Sequence, residues 1–135
     1  MNDLNSKVEY ALLAALDLAR HYDPRSTLKA QDIARRTGAP KKYLGQILRE
    51  LKNRALVKSE KGPTGGYRLM RRPQLISVAE IIAAVSGEPD GRRRRDLPET
   101  DYAEGLRWLN EALKEVQRSF LADINLEDFL RKVEG

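Results

Sequence analysis

Apolar residues along this chain recur mostly at helical spacing, interrupted once by a pair of short extended runs. From Ser6 onward, Val8, Ala11, Leu12, Ala15, Leu16 and Ala19 repeat at steps of one, three and four, which predicts a helix with a buried stripe. Tyr10, Leu13 and Leu18 widen that stripe, so this helix is expected to meet a second partner, another subunit among the candidates. Ser6 followed by Glu9 has capping-box spacing at its start, and Asp23-Pro24 ends it. Leu28 to Thr37 reads as a short second helix, with Leu28, Ile33 and Ala34 inward and Gly38 in the left-handed position that closes it. The link Gly38-Ala39 leads to Pro40 at the first position of a third helix, where a missing N–H does no harm. In that helix Leu44, Ile47, Leu48 and Leu51 fall at i, i+3, i+4 and i+7, leaving Lys41, Lys42, Gln46 and Arg49 mostly outside. Two helices joined by so tight a turn read as helix-turn-helix.

Val57 to Glu60 and Tyr67 to Met70 predict the strands of a hairpin, joined by Lys61-Gly62-Pro63-Thr64-Gly65-Gly66. That loop is too long for a tight turn and predicts a projecting tip, a wing. A fourth helix runs to Val85 and stops at Gly87, with a capping box at Ser77 and Glu80 and a hydrophobic staple of Ile76 and Ile81 at its start. Residues 88–100 lack apolar periodicity and contain Arg92 to Arg95, so they read as a connector. A fifth helix begins near Asp101, with Glu104 at capping-box spacing. There Tyr102, Leu106, Leu109, Leu113, Val116 and Phe120 form a heptad seam. It packs either on the chain's own first helix or, as favoured here, on a second copy; Trp108 and Ala112 beside it are candidates for the first helix. Asn125 caps a last short helix with Leu126, Phe129 and Leu130 on its apolar side. The expected fold is mainly α with a small β-hairpin wing. Residues 1–87 form a winged helix-turn-helix unit, 88–101 a connector, and 102–135 the dimerisation helix and a short C-terminal helix.

Size and charge narrow the function. A chain of 135 residues, 41% of them hydrophobic, buries one modest core. Its net charge of +5 is unevenly spread: Lys29 to Arg72 carries 13 Lys and Arg against 3 Asp and Glu, a net of +10, whereas Asp96 to Gly135 carries 5 against 10, a net of −5. The basic stretch favours a polyanion, because neutralising phosphates releases counterions. Absence of cysteine excludes disulfides, thiolate metal sites and a nucleophilic thiol, and no cofactor or metal is expected. No apolar run long enough for a membrane span and no signal-peptide pattern is present, so a cytoplasmic place is expected. His21, the single histidine, reads as an ordinary helix-end residue. Nothing forms a nucleophile–base pair, and the glycine-rich turn joins two strands instead of opening a helix, so an enzyme is not expected.

Lys41, Lys42, Gln46 and Arg49 could be a solvated helix face. The preceding tight turn, the wing and the local charge favour DNA contact instead, with Lys to phosphate or guanine edges, Gln46 to a base edge and Arg49 to the backbone. Gly45 on the same face lets the helix approach closely. Lys58, Lys61 and Arg68 are either a charge-protected hairpin edge or phosphate and minor-groove contacts, the latter preferred. Lys29, Arg35 and Arg36 flank the second helix and could hold the backbone, while Tyr67 is expected beneath the wing. Arg92 to Arg95 is a solvated run, a second DNA contact or an anion site, and these stay open.

The run IARRTGAPKKYLGQILRELKNRALVKSEKGPTGGYRL, followed by ISVAEIIAAVSGEP and a long helix, resembles the Rrf-two family of bacterial winged-helix regulators, the IscR, NsrR and CymR type. The similarity covers roughly residues 5 to 123, and its most specific element is the wing from Lys58 to Tyr67. The resemblance implies a homodimer on a palindrome-like operator in double-stranded DNA. Lys41, Lys42, Tyr43 and Gln46 would lie near the major groove, and the wing, with Lys58, Lys61, Gly62, Gly65, Gly66 and Arg68, in the minor groove. Many relatives carry arginine where Lys61 stands, and lysine lacks the planar fork. Cluster-binding relatives carry three cysteines in the connector, where this chain has arginines. Glu9 occupies a place from which some relatives draw a ligand, but Leu13 one turn on cannot ligate, so an iron-sulfur cluster is not expected. The reading is a sequence-specific transcriptional regulator, most often a repressor in such families, which answers to a small molecule near the connector, to a partner protein or to nothing, and the sequence does not choose among these. The alternative is an interaction adaptor that has lost DNA binding and regulates a partner such as a metabolic enzyme.

Overall fold

The computed structural model describes residues 5–86 and 100–135. Helix α1, Ser6–Arg20, lies at the centre, because its alanines and leucines are buried around most of its circumference: Val8, Ala11, Leu12, Ala14, Ala15, Leu18 and Ala19 all join the core. The second partner expected from that wide apolar surface is supplied largely within the chain. Helices α2, Ala30–Thr37, α3, Lys41–Asn53, α4, Val78–Ser86, and α6, Leu126–Glu134, each pack on α1, as does one strand of the hairpin. Leu13 alone among the leucines of α1 stays outward, at 40% exposure.

The hairpin consists of β1, Val57–Glu60, and β2, Gly66–Leu69, antiparallel with Val57 opposite Leu69 and Glu60 opposite Gly66. Helix α5, Ala103–Ala122, leans on α4, and a 3-10 turn at Pro73–Leu75 bridges the hairpin to α4. Leu44, Ile47, Leu48 and Leu51 of α3 are fully buried, as the spacing predicts. Each side chain of that size contributes about 1.5–3 kcal/mol of burial free energy.

Helix starts differ from expectation by a residue or two, for local reasons. Asn5, not Ser6, caps α1: its side chain accepts from the Val8 N–H at 2.9 Å, and its carbonyl accepts the first helical bond from Glu9. Pro40 is the N-cap of α3, not its first helical residue, with extended backbone (φ −61°, ψ 135°). Helix α2 begins at Ala30 because Leu28 is drawn into a β-bridge with Tyr67. Helix α5 begins at Ala103, and Thr100, not Asp101, supplies the polar atoms there, its hydroxyl accepting from the Tyr102 N–H at 3.1 Å. The strand expected over 67–70 runs one residue earlier.

The Ser77 box forms as expected, with reciprocal bonds to Glu80 of 2.9 and 3.1 Å. Gly38 takes the left-handed conformation, φ 81°. Helix α3 ends in a Schellman turn. There Leu56 N–H reaches the Leu51 carbonyl at 3.0 Å, and Ala55 holds φ 58°, a conformation that suits glycine better. Val78 N–H donates to the Ile124 carbonyl and Leu126 N–H to that of Ile76, so the start of α6 is stitched to the start of α4 and Leu126 enters the core. Most of the connector expected over 88–101, with Arg92 to Arg95, lies outside the described residues.

Candidate nucleic-acid interface

Helix α3 turns its leucines and isoleucine inward, and that orientation places Lys41, Lys42, Gly45, Gln46 and Arg49 outward, all exposed. Lys41, Lys42 and Arg49 make no hydrogen bond or ion pair to other described residues, so their charges face solvent. The Gln46 amide nitrogen donates along the helix to Glu50 at 3.3 Å, and Lys7 from α1 holds the same carboxylate at 2.9 Å. Tyr43 is half-buried, its ring edge-on to Tyr10 with centroids 5.4 Å apart. That contact anchors α3 to α1 and leaves only part of the ring on the outer face.

Lys58, Lys61, Gly62, Pro63 and Thr64 are exposed on the wing. Lys58 stands opposite Arg68 across the hairpin, and Glu60 on the same face pairs with the Arg68 guanidinium. That hydrogen bond draws the Glu60 carboxyl below the ordinary carboxylate range. Gly65 and Gly66 have internal reasons to be glycine. Gly65 is buried and a Cβ there would run into the Glu60 carbonyl, while a Cβ on Gly66 would run into the Leu28 carbonyl. Tyr67 is half-buried against the core, as expected.

The cations around α2 are engaged. Arg35 pairs with Asp32 at 2.7 Å, which lowers the Asp32 carboxyl. Arg36, a candidate backbone contact by its position, instead grips Asp17 of α1 from Nε at 2.9 Å and Nη2 at 3.0 Å. This pair was not foreseen, although a lone carboxylate among the alanines and leucines of α1 signals the need for a buried partner. His21 ends α1 beside the same Asp17, its Nδ1 3.0 Å from the Asp17 carbonyl. Lys29 Nζ donates to the carbonyls of Pro63 at 2.8 Å and Gly65 at 3.2 Å, so it reaches the wing.

On α5 the seam from Tyr102 to Phe120 is open, with exposures from 46% at Leu106 to 83% at Tyr102. It does not pack on α1. Trp108 is likewise exposed, and Ala112 is half-buried.

This geometry has counterparts among known proteins. Residues 4–132 match the family model described as Rrf2, iron-dependent transcriptional regulator. The chain is 37% identical over 135 residues to the HTH-type transcriptional regulator IscR of Xenorhabdus nematophila, covering 97% of this chain and 80% of that one. Identity to the IscR of Vibrio atlanticus is 36% over 132 residues, covering 95% and 75%. Among solved structures, T. potens IscR superposes with a TM-score of 0.76 at 30% identity, covering 98% of this chain and 88% of that one. The global cysteine regulator CymR of B. subtilis gives 0.72 at 28% identity, covering 98% of both. The sequence has no cysteine, so it offers no thiolate to ligate a cluster.

Proposed function

This chain belongs to the Rrf2 family of DNA-binding transcriptional regulators, and from that premise we propose that it works as a cluster-free homodimer, as a repressor, on an inverted-repeat operator. The observation that carries the reading is the outer face of α3, where Lys41, Lys42, Gly45, Gln46 and Arg49 stand exposed over a fully buried Leu44, Ile47, Leu48 and Leu51, with the wing beside them. Such a helix presents cations to phosphates and an amide to base edges in a major groove. Lys58, Lys61 and Gly62 meet the neighbouring minor groove, Arg35 and Arg68 reach phosphate by exchanging their carboxylate partners Asp32 and Glu60 for it, and Gly65 and Gly66 shape the wing. The open seam of α5 supports pairing of two copies, which sets two recognition helices about 34 Å apart or a multiple of that. Absence of cysteine supports a signal other than a cluster, and the family's non-enzymatic character leaves binding as the activity. Among the described residues no helix is long and apolar enough to cross a membrane, in keeping with a cytoplasmic regulator.

Joint substitution Lys41→Ala and Lys42→Ala is expected to weaken operator binding by at least about a hundredfold, on the scale of lost phosphate and base contacts, with the dimer intact. A mobility-shift titration at physiological salt measures it, and unchanged binding would overturn the proposal. Regulation that persists in that variant would favour the adaptor alternative.

A further inference from the structure

We propose that residues 27–29 form a latch that sets the wing for DNA, and that Lys29 is a wing-positioning residue instead of a phosphate contact; this rests on the DNA-binding reading above. Three consecutive carbonyls of the wing loop are taken up by this short segment. Thr27 Oγ1 donates to the Thr64 carbonyl at 2.9 Å, and Lys29 Nζ donates to those of Pro63 and Gly65 on either side. Between them Leu28 and Tyr67 exchange both backbone bonds at 2.8 Å, making a third extended partner for the hairpin. The close approach is built into the sequence, because any Cβ on Gly66 would meet the Leu28 carbonyl.

A two-stranded hairpin with a glycine- and proline-rich loop is marginal by itself. If its tip were free, binding to a minor groove would have to order it, at an entropic cost taken from affinity. The latch orders the tip beforehand. Residues 27–29 run straight into α2, and α2 turns through Gly38 and Ala39 into α3, so the same segment also sets the wing against the recognition helix. Lys61 and Gly62, ahead of the gripped carbonyls, are left exposed for DNA. Two of the three Lys29 ammonium protons are already committed to the loop.

The experiment uses the full-length protein and duplexes that the wild type selects from a random library. Thr27→Val, which changes no charge, and Lys29→Met should each weaken binding about three- to tenfold, the scale of ordering a few loop residues at the moment of binding. The dependence of log K on log salt should keep its slope, circular dichroism should stay native, and Lys29→Arg should restore most of the affinity. Hydroxyl-radical protection of the minor groove under the wing should fade while protection under α3 persists. In a Lys61→Ala background, Lys29→Met should cost little more. A slope reduced by about one per protomer in Lys29→Met would make Lys29 a phosphate contact and overturn the assignment. Unchanged affinity and footprint in both Thr27→Val and Lys29→Met would overturn the latch. If the wild type selects no duplex at all, DNA binding itself fails, which is a separate result.

Discussion

Gly45 shows how a single residue can serve binding at the expense of stability. It lies inside α3 on the exposed face, and a Cβ there would meet nothing within 4 Å. Glycine in a helix interior costs about 0.5–1 kcal/mol relative to alanine, so the fold gains nothing from it. A helix that must sit close in a groove does gain, since the missing methyl lies among Lys41, Lys42 and Arg49. Gly45→Ala is therefore expected to raise the thermal midpoint and weaken operator binding. Paired melting and shift measurements check the two opposite signs; stabilisation without loss of binding would show that α3 does not approach DNA through this position. Gly65 and Gly66 contrast with it, because there a methyl would collide with backbone. Sequence alone presents all three as glycines in a basic stretch; only the atoms around each Cβ tell them apart.

At the scale of elements, α2 is the least self-sufficient helix. It has eight residues, and Ile33 is its one fully buried side chain. Arg36 compensates by a bidentate pair with Asp17, whose side chain is 8% exposed against 33% for Arg36. That hydrogen bond also strengthens the protonated form of Arg36. Arg36→Met leaves a carboxylate buried without its partner and should destabilise the protein by about 2–4 kcal/mol. Urea unfolding measures it, and adding Asp17→Asn should return part of the loss, because the two positions act as one unit. An unchanged midpoint in Arg36→Met would show that the pair contributes no stability. The helices and the hairpin were legible from periodicity, since burying one face of a helix imposes a 3.6-residue repeat. Their ends were legible only to within a residue or two. At α2 the boundary is moved by the bridge between Leu28 and Tyr67, a contact across 39 positions that no local pattern encodes, and at β2 by the register that sets Gly66 opposite Glu60 and Leu69 opposite Val57.

For the whole molecule, the chain folds back on itself and yet leaves one long face uncovered. Helix α6 returns to α1 and the 3-10 turn, whereas α5 touches α4 and keeps Leu106, Leu109, Leu113, Val116 and Phe120 open. Because these side chains lie outside the buried core, Leu109→Glu with Leu113→Glu should leave circular dichroism unchanged. Sedimentation should then show a monomer, whereas the proposed pairing predicts a dimer for the wild type. Operator affinity should drop as well, since a monomer engages one half-site without the effective concentration that pairing supplies. A double variant that still sediments as a dimer would place the subunit contact elsewhere. By itself the sequence determined the helices and hairpin, the basic centre and acidic tail, the absence of thiol chemistry and the resemblance to a regulator family, because each is written in local spacing or in counts. Only the tertiary structure decided which cations are spent and which are free. Lys29, Arg36 and Lys41 look alike as residues, but Lys29 is bound to the wing, Arg36 to Asp17, and Lys41 faces solvent. The physical reason is that a charge finds its partner through space, and these partners lie 34 and 19 positions away along the chain.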